Sequence, residues 1–280
     1  MNATPSCPVS GLDKILLVTD GFEFSEGAIR EAINFAGKCG SRLYAVMVVE
    51  TNPEYESMAP QLVERAIEEG ARRHLDSVKA RSREQGLACE TIIVQGDEPY
   101  QLIVDEAARR GVDMIIIGRR GRKGLTKLLV GEVAEKVIGH APCKVLVVPR
   151  AARIEYKNLL VATDGSIHSN AALTEAIAIA KRCGSHLIAL SAMRDESERE
   201  EAENFANKAV ELAQKEGVSA EAVTPIGRSF NAIVETAGGR GVDLIVMGTY
   251  GKTGVKKLLM GSSTEKVIGN AGCAVLVVKA

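Results

Sequence analysis

The chain has 280 residues, of which 46% are hydrophobic and 25% charged, a balance that excludes disorder along its whole length. The formal net charge is −1, which excludes the large basic excess on which nucleic-acid coat proteins and membrane-surface binders depend. The length predicts one large domain or two small ones.

The first ten residues are predicted to form a short mobile tail. They have no basic flank followed by an apolar core, so they do not resemble a signal peptide, and no apolar run approaches the roughly 20 residues of a membrane span. The six cysteines have no Cys-x-x-Cys spacing and are expected to be small buried thiols. Reduced thiols are typical of the cytosol, so we expect a cytoplasmic protein. The four histidines lack metal-ligand spacing, so we expect no metal site.

The first half of the chain alternates short apolar runs with segments of helical periodicity. Runs such as Met114–Ile117 do not alternate apolar with polar residues, which is typical of strands buried on both faces of a parallel sheet. The predicted strands are Ile15–Thr19, Leu43–Val49, Ala88–Val94, Met114–Ile117 and Val145–Val148, and the predicted helices follow a Ser25 cap and lie at Gln61–Gln85, Pro99–Arg110 and Val133–Ile138.

The second half repeats the first. Residues 117–148 and 247–278 align without a gap and share 18 of 32 positions. The corresponding residues Asp20 and Asp164 are 144 apart, whereas Gly118 and Gly248 are 130 apart, so the second copy is shorter in its middle. A period this long indicates a duplicated domain and excludes a solenoid. The repeated strands are predicted at Leu159–Thr163, Leu187–Met193, Ala220–Val223, Leu244–Met247 and Val275–Val278.

These patterns predict an α/β protein with two tandem Rossmann-like domains, each a five-stranded parallel open sheet with helices on both faces. The predicted divisions are a tail at residues 1–10, a first domain at 11–150 and a second at 151–280, with the polar stretch Pro149–Lys157 as the seam.

Two glycine-rich loops follow strands in the second half, where open parallel sheets bind ligands. Gly248-Thr249-Tyr250-Gly251 follows strand four, and Gly261-Ser262-Ser263-Thr264 begins a helix. Glycines let backbone amides approach an anion, and a helix N-terminus adds unpaired N–H groups, so this pattern predicts a phosphate cradle. Taken singly, the glycines fit a tight strand-to-helix connection without a ligand equally well. Neither a Walker A loop nor a Gly-x-Gly-x-x-Gly fingerprint is present.

The glycine spacing resembles a known signature. Gly248-x2-Gly251-x9-Gly261-Ser262 is similar to the nucleotide-binding motif of the universal stress protein family, Gly-x2-Gly-x9-Gly-(Ser/Thr). Thr163-Asp164-Gly165-Ser166 and the closing strand Ala274–Val278 also match that family, and the resemblance covers nearly the whole chain twice.

The resemblance implies a site for ATP, with ADP or AMP as alternatives and Mg²⁺ as an accompanying ion. It implies adenine or ribose contacts from Ala162, Thr163, Asp164 and Ala192, and phosphate contacts from Gly248, Thr249, Gly251, Gly261, Ser262, Ser263 and Thr264.

The first copy departs from the motif. It keeps Asp20, Gly118, Gly121 and Gly131, but Glu132 stands where the motif has a hydroxyl, and a carboxylate there repels phosphate. The nearby basic residues either neutralise Glu132 or form a solvated surface; they are Arg119, Arg120, Arg122 and Lys123. We therefore expect a competent second half and a first half that binds nucleotide weakly or not at all.

Three function classes remain open. The leading one is an adenine-nucleotide-binding regulatory protein of the stress response. The second is a slow ATPase or self-phosphorylating enzyme, with Ser262 or Ser263 as the acceptor. The third is an interaction module whose duplication replaces a homodimer, with Val145–Val148 pairing with Val275–Val278. Pairing of whole chains is compatible with each class. An aromatic content of 4% disfavours a nucleic-acid reader.

Overall fold

The computed structural model describes residues 7–50, 60–119, 130–251 and 260–280, with side chains from residue 65 onward in the second range. Within these ranges, each half alternates five strands with four helices, as the sequence predicted. The first half comprises β1 Lys14–Val18, α1 Glu26–Cys39, β2 Arg42–Glu50, α2 Pro60–Glu84, β3 Cys89–Gly96, α3 Pro99–Arg110, β4 Met114–Gly118, α4 Glu132–His140 and β5 Lys144–Val148. The second half comprises β6 Asn158–Ala162, α5 Ile167–Cys183, β7 His186–Leu190, α6 Arg199–Lys215, β8 Ala220–Val223, α7 Ser229–Gly239, β9 Leu244–Gly248, α8 Ser262–Asn270 and β10 Ala274–Val278.

The two five-stranded sheets join into one sheet of ten strands, in the order β3-β2-β1-β4-β5-β10-β9-β6-β7-β8. Neighbouring strands are parallel within each half. Across the junction β5 and β10 run antiparallel, with Leu146 opposite Leu276. The intrachain pairing considered from the sequence is therefore present, and the two halves form a pseudo-dimer.

The helices cover both faces of this sheet. Buried residues of α1, α2, α5 and α6 form one apolar cluster, and those of α3, α4, α7 and α8 form another on the opposite face. All five residues of β4 and of β9 are buried, which is why these strands read as unbroken apolar runs. In the described part of the chain, no helix combines the length and hydropathy that crossing a bilayer requires.

The seam between the halves packs against the core. It is polar in sequence, but Ala152, Ile154 and Tyr156 are buried in the apolar cluster. The Tyr156 ring meets Phe35 of α1 edge to face, with 6.0 Å between centroids, and the Lys38 ammonium lies 4.8 Å from the Tyr156 centroid. The connection therefore packs as part of the core, because every second side chain points inward.

The described part of the predicted tail, residues 7–10, is more ordered than predicted. Cys7 and Cys39 form a disulfide that ties this segment to the end of α1, and Val9 is buried. Burial of Val9 and Leu12 brings Cys7 back to α1 across a separation of 32 residues, which spacing in the sequence does not reveal. The expectation of buried thiols is therefore wrong for these two cysteines. The other four are free thiols, of which Cys89 and Cys273 are buried and Cys143 and Cys183 half-buried. Burial raises the pKa of Cys143 to about 11 and that of Cys273 to about 12.

Ser25 occupies the N-cap position of α1, as predicted, but its side chain does not cap the helix. A short 3₁₀ turn, Glu23–Ser25, precedes α1, and the Ser25 side chain makes no capping hydrogen bond. Its hydroxyl instead donates to the Phe22 carbonyl at 2.8 Å and hydrogen-bonds the Thr19 hydroxyl at 2.9 Å. In the second half Ser166 does cap α5, accepting a hydrogen bond from the Ser169 amide at 3.2 Å.

Candidate functional site

A cavity of about 310 Å³ lies in the second half, beyond the carboxyl ends of β6, β7 and β9. In the sheet, β6 lies between β7 and β9. The chain therefore continues from β6 to β7 on one side and later returns to form β9 on the other side. Such a switch point opens a crevice in a doubly wound sheet, and the volume lies in the range of about 300–1,000 Å³ for small-molecule sites. Ten of the eleven residues proposed from the sequence line this cavity: Ala162, Thr163, Asp164, Ala192, Gly248, Gly251, Gly261, Ser262, Ser263 and Thr264.

The N-terminus of α8 forms one wall. Gly261 is the N-cap with an extended backbone, and its amide donates to the Thr249 carbonyl at 3.0 Å. Ser262 and Ser263 follow it in the first turn, where backbone N–H groups have no acceptor within the helix. This wall presents unpaired N–H groups, two hydroxyls and the positive end of the helix dipole to the cavity, which favours an anion.

Asp164 fixes the loop after β6 and lies against the glycine loop. Its Oδ1 accepts a hydrogen bond from the Ser166 amide at 3.1 Å. A Cβ on Gly251 would lie 2.5 Å from the Asp164 Oδ2, so glycine is the residue that fits there. The carboxylate therefore sits at the cavity, beside the glycine loop.

The other glycine of this loop has a packing role. A Cβ on Gly248 would lie 2.7 Å from the backbone carbonyl of His168 in the first turn of α5. The His168 ring also lies against the Tyr250 ring, at 5.4 Å between centroids. The close approach of β9 to α5 thus requires glycine at this position with or without a ligand, which is the alternative that the sequence left open.

Two predicted threonines hold the loop in place. The Thr249 hydroxyl donates to the Val278 carbonyl at 3.3 Å, and Thr249 does not line the cavity. The Thr264 hydroxyl donates to the Gly248 carbonyl at 3.1 Å. Both side chains are buried, and their hydroxyls fasten the glycine loop to α8 and β10.

The cavity also contains residues that the sequence did not suggest. Glu198, Glu201 and Phe205 come from the first half of α6 or the turn before it, Arg194 from the loop after β7, and Ser229 from the start of α7. The glycine signature does not extend to these segments. Their one visible signal is the spacing of Glu198, Glu201 and Phe205, which places them on one side of a helix.

The equivalent place in the first half is built differently. Buried Leu75 of α2 and buried Ala206 of α6 are 131 residues apart, and this alignment places His74 where Phe205 lies. The His74 Nε2 lies 2.8 Å from the Thr19 hydroxyl, at the end of β1. In the first half, the His74 imidazole is thus hydrogen-bonded to Thr19 just after β1. It takes the position at which the second half has the Phe205 ring, which lines the cavity.

Glu132 opens α4 at the position of Ser262. Its carboxylate lies 2.8 Å from the Lys136 ammonium in the next turn. The Arg119 guanidinium, expected beside Glu132 or in solvent, donates to the Ala271 carbonyl of the second half at 2.8 Å. The remaining basic residues of this loop, and Gly121, lie outside the described residues.

We expect His74 to make stability depend on pH. Burial lowers its pKa below 6.5, against the opposing effects of Glu26 and Asp20. As the pH falls from 6.5 to the folded pKa, the unfolded chain binds a proton that the folded chain resists, so stability falls. Urea unfolding between about pH 8 and pH 5 should show a smaller loss for His74→Phe than for the parent protein. Equal losses would contradict this assignment.

Comparisons with known proteins agree with this architecture. The model of the universal stress protein family matches residues 11–149 and again residues 155–279. This chain belongs to the universal stress protein family. Its two copies account for the duplicated sheet, and the resemblance drawn from the glycine spacing is confirmed at the level of the family.

Individual relatives fit one half of the chain. A universal stress protein of Methanocaldococcus jannaschii is 35% identical over 140 residues, which are 49% of this chain and 82% of that protein. One from Synechocystis is 32% identical over 152 residues and is covered to 98%. A solved universal stress protein from Archaeoglobus fulgidus superposes on this chain with a TM-score of 0.78 and 23% sequence identity. The match covers 96% of this chain and 99% of that protein, which shows that the tandem fold is shared.

In the described part of this universal stress protein, no group of three or more His, Cys, Asp or Glu residues is arranged to hold a metal ion.

Proposed function

We propose that this universal stress protein is a regulatory protein of the stress response that binds an adenine nucleotide, ATP or a lower phosphate, in the cavity of its second half. One observation supports it: the start of α8, which favours an anion, and the Asp164 carboxylate line the same cavity. A helix N-terminus favours phosphates, whereas a carboxylate accepts hydrogen bonds from ribose hydroxyls or an adenine amine. One molecule that carries both kinds of group is a nucleotide.

The non-phosphate end of the cavity suits an adenosine group. Ala162 is the last residue of β6, Ala192 lies two residues beyond the end of β7, and Phe205 adds an aromatic ring to the lining. Small side chains leave room for a flat base, and aromatic rings attract one. Phosphates on the α8 wall would supply the oxygen ligands through which Mg²⁺ accompanies ATP.

The site is better suited to holding a nucleotide than to cleaving it rapidly. Fast phosphoryl transfer needs a charge clamp and a group that orients the attacking nucleophile. Arg194 is the one basic side chain among the described residues of the lining, whose other charged groups are the carboxylates of Asp164, Glu198 and Glu201. Binding and release of the nucleotide, sensed by a partner, is the role that this arrangement supports.

Nucleotide stoichiometry tests the proposal. The purified protein, saturated with ATP and Mg²⁺ and then denatured, should release about one adenine nucleotide per chain. Asp164→Asn should weaken ATP binding about tenfold or more, because a hydrogen bond to a charged group is lost, as titration calorimetry would show.

Asp20→Asn, at the equivalent position of the first half, is the matched control and should leave ATP affinity unchanged. Two nucleotides per chain, or a larger loss with Asp20→Asn than with Asp164→Asn, would contradict the assignment to the second half. Failure of the parent protein to bind ATP, ADP or AMP would overturn the proposed function.

A further inference from the structure

A second cavity lies on the outer surface of the second half, between α5 and α6. It is an open groove of about 830 Å³. Its floor is formed by Leu173 and Ile177 of α5, whose edges reach the groove although both residues are buried, and by Leu212 of α6, which is 40% exposed. The groove shares no residue with the nucleotide cavity, so it is a separate feature of the molecule.

The rim of this α5–α6 groove is basic. Four of its lining residues are cationic, Lys181, Arg182, Lys208 and Lys215, and one is anionic, Glu216, giving a net charge of +3. Lys181 pairs with Glu216 at 2.8 Å, whereas Lys208 and Lys215 extend into solvent from α6. The whole chain has a net charge of −1, so positive charge is concentrated here.

The first half lacks the apolar and basic character of this groove. Asn170 and Leu212 correspond to Glu26 and Arg81, whose side chains form an ion pair of 3.0 Å between α1 and α2. An ion pair thus crosses between the helices of the first half where the second half has an amide and an exposed leucine.

The charges on the rim differ in the same direction. Lys208 and Lys215 correspond to Ser77 and Glu84 of α2. Because both halves have the same fold, the fold does not require an open, basic and partly apolar groove. The difference therefore points to a role of this surface in the second half alone.

We propose that the α5–α6 groove docks an acidic amphipathic helix of a partner protein. Along α5 the groove runs from Asn170 to Arg182, about 18 Å at the rise of an α-helix, which matches about three turns of a docked helix. Apolar residues at i, i+3 or i+4 and i+7 would contact Leu173, Ile177 and Leu212. Carboxylates beside them would face the lysines of the rim, which supplies the charge complementarity.

A labelled synthetic peptide tests this surface. The probe is a helix of about 18 residues with leucines at the i, i+3/i+4 and i+7 positions and glutamates elsewhere, and its counterpart carries lysine for every glutamate. Fluorescence anisotropy should show saturable binding of the acidic peptide to the full chain, weakening with added salt, and no binding of the basic one.

Charge reversal locates the binding. Lys208→Glu with Lys215→Glu should weaken binding of the acidic peptide at least tenfold. Lys79→Glu with Arg83→Glu, which reverses two exposed charges of α2, is the matched control and should leave it unchanged. A second variant, Asn170→Glu with Leu212→Arg, places the ion pair of the first half across the groove and should weaken binding similarly. Circular dichroism and ATP affinity verify that each variant is folded.

Several results would overturn the proposal. They are equal binding of both peptides, no binding of the acidic peptide, and affinity that neither groove variant changes. Oleate that displaces the acidic peptide and binds more tightly would instead assign a small anionic amphiphile. Sedimentation showing a dimer that Lys208→Glu with Lys215→Glu dissociates would instead assign a second copy of this chain.

Discussion

Replacing Ser262 by glutamate is expected to weaken ATP binding at least about a hundredfold, because two unit charges about 4 Å apart at a protein surface repel by several kcal/mol. Ser262 lies in the first turn of α8 on the wall proposed for the phosphates. The substitution introduces the residue that occupies this position in the first half, Glu132. Titration calorimetry with ATP and Mg²⁺ measures the change.

Ser262→Ala separates charge from the loss of a hydroxyl. It keeps the backbone N–H groups of α8 and should weaken binding by a few-fold at most, since one neutral hydrogen bond contributes about 1 kcal/mol. Similar losses for alanine and glutamate would show that repulsion does not explain the difference between the halves. Unchanged affinity in both variants would remove the start of α8 from the phosphate site.

Leu276→Ala is expected to lower the free energy of unfolding by about 3 to 5 kcal/mol, the usual cost of a large cavity in a packed core. Leu276 is 1% exposed and lies opposite fully buried Leu146, where β10 and β5 join the two halves. The cavity would open at the middle of the ten-stranded sheet, where helices on both sides hold the strands in place. Urea unfolding followed by circular dichroism measures the change.

Leu212→Ala is the matched control, because it removes the same atoms from a side chain that is 40% exposed on α6. It should cost less than about 1 kcal/mol, as surface substitutions do. If Leu276→Ala lowered the free energy of unfolding by as little as Leu212→Ala, the junction of the halves would contribute little to stability.

The sequence predicted the elements accurately where their signal is local. Met114–Ile117 and Val145–Val148 are unbroken apolar runs, and burial on both faces of a parallel sheet is the environment that such runs require. Gly40 ends α1 in the left-handed conformation, as a glycine at that position indicates. The duplication was evident from the sequence because residues 117–148 and 247–278 can be aligned directly without a structure.

The lining of the candidate cavity could be predicted in part. Its glycine loop and the Asp164 turn follow strands directly, so their position at the carboxyl edge follows from the fold class. The direction of the Thr249 and Thr264 hydroxyls did not follow, because it depends on which carbonyls of β9 and β10 come near. The α6 residues of the cavity were missed because their relation to β6 depends on how a helix packs from another part of the chain.

By itself the sequence determined the family, the repeated α/β fold and the glycine-rich loops. Each of these follows from the glycine spacing, the periodicity of apolar residues or the similarity between the two halves. The tertiary structure decided that the pairing of β5 with β10, one alternative from the sequence, is present and antiparallel. It alone showed that Cys7 meets Cys39 and that His74 takes the place of Phe205. Each of these depends on contacts between segments far apart in the chain. Such contacts are selected by the packing of the whole core, and no short stretch of residues encodes them.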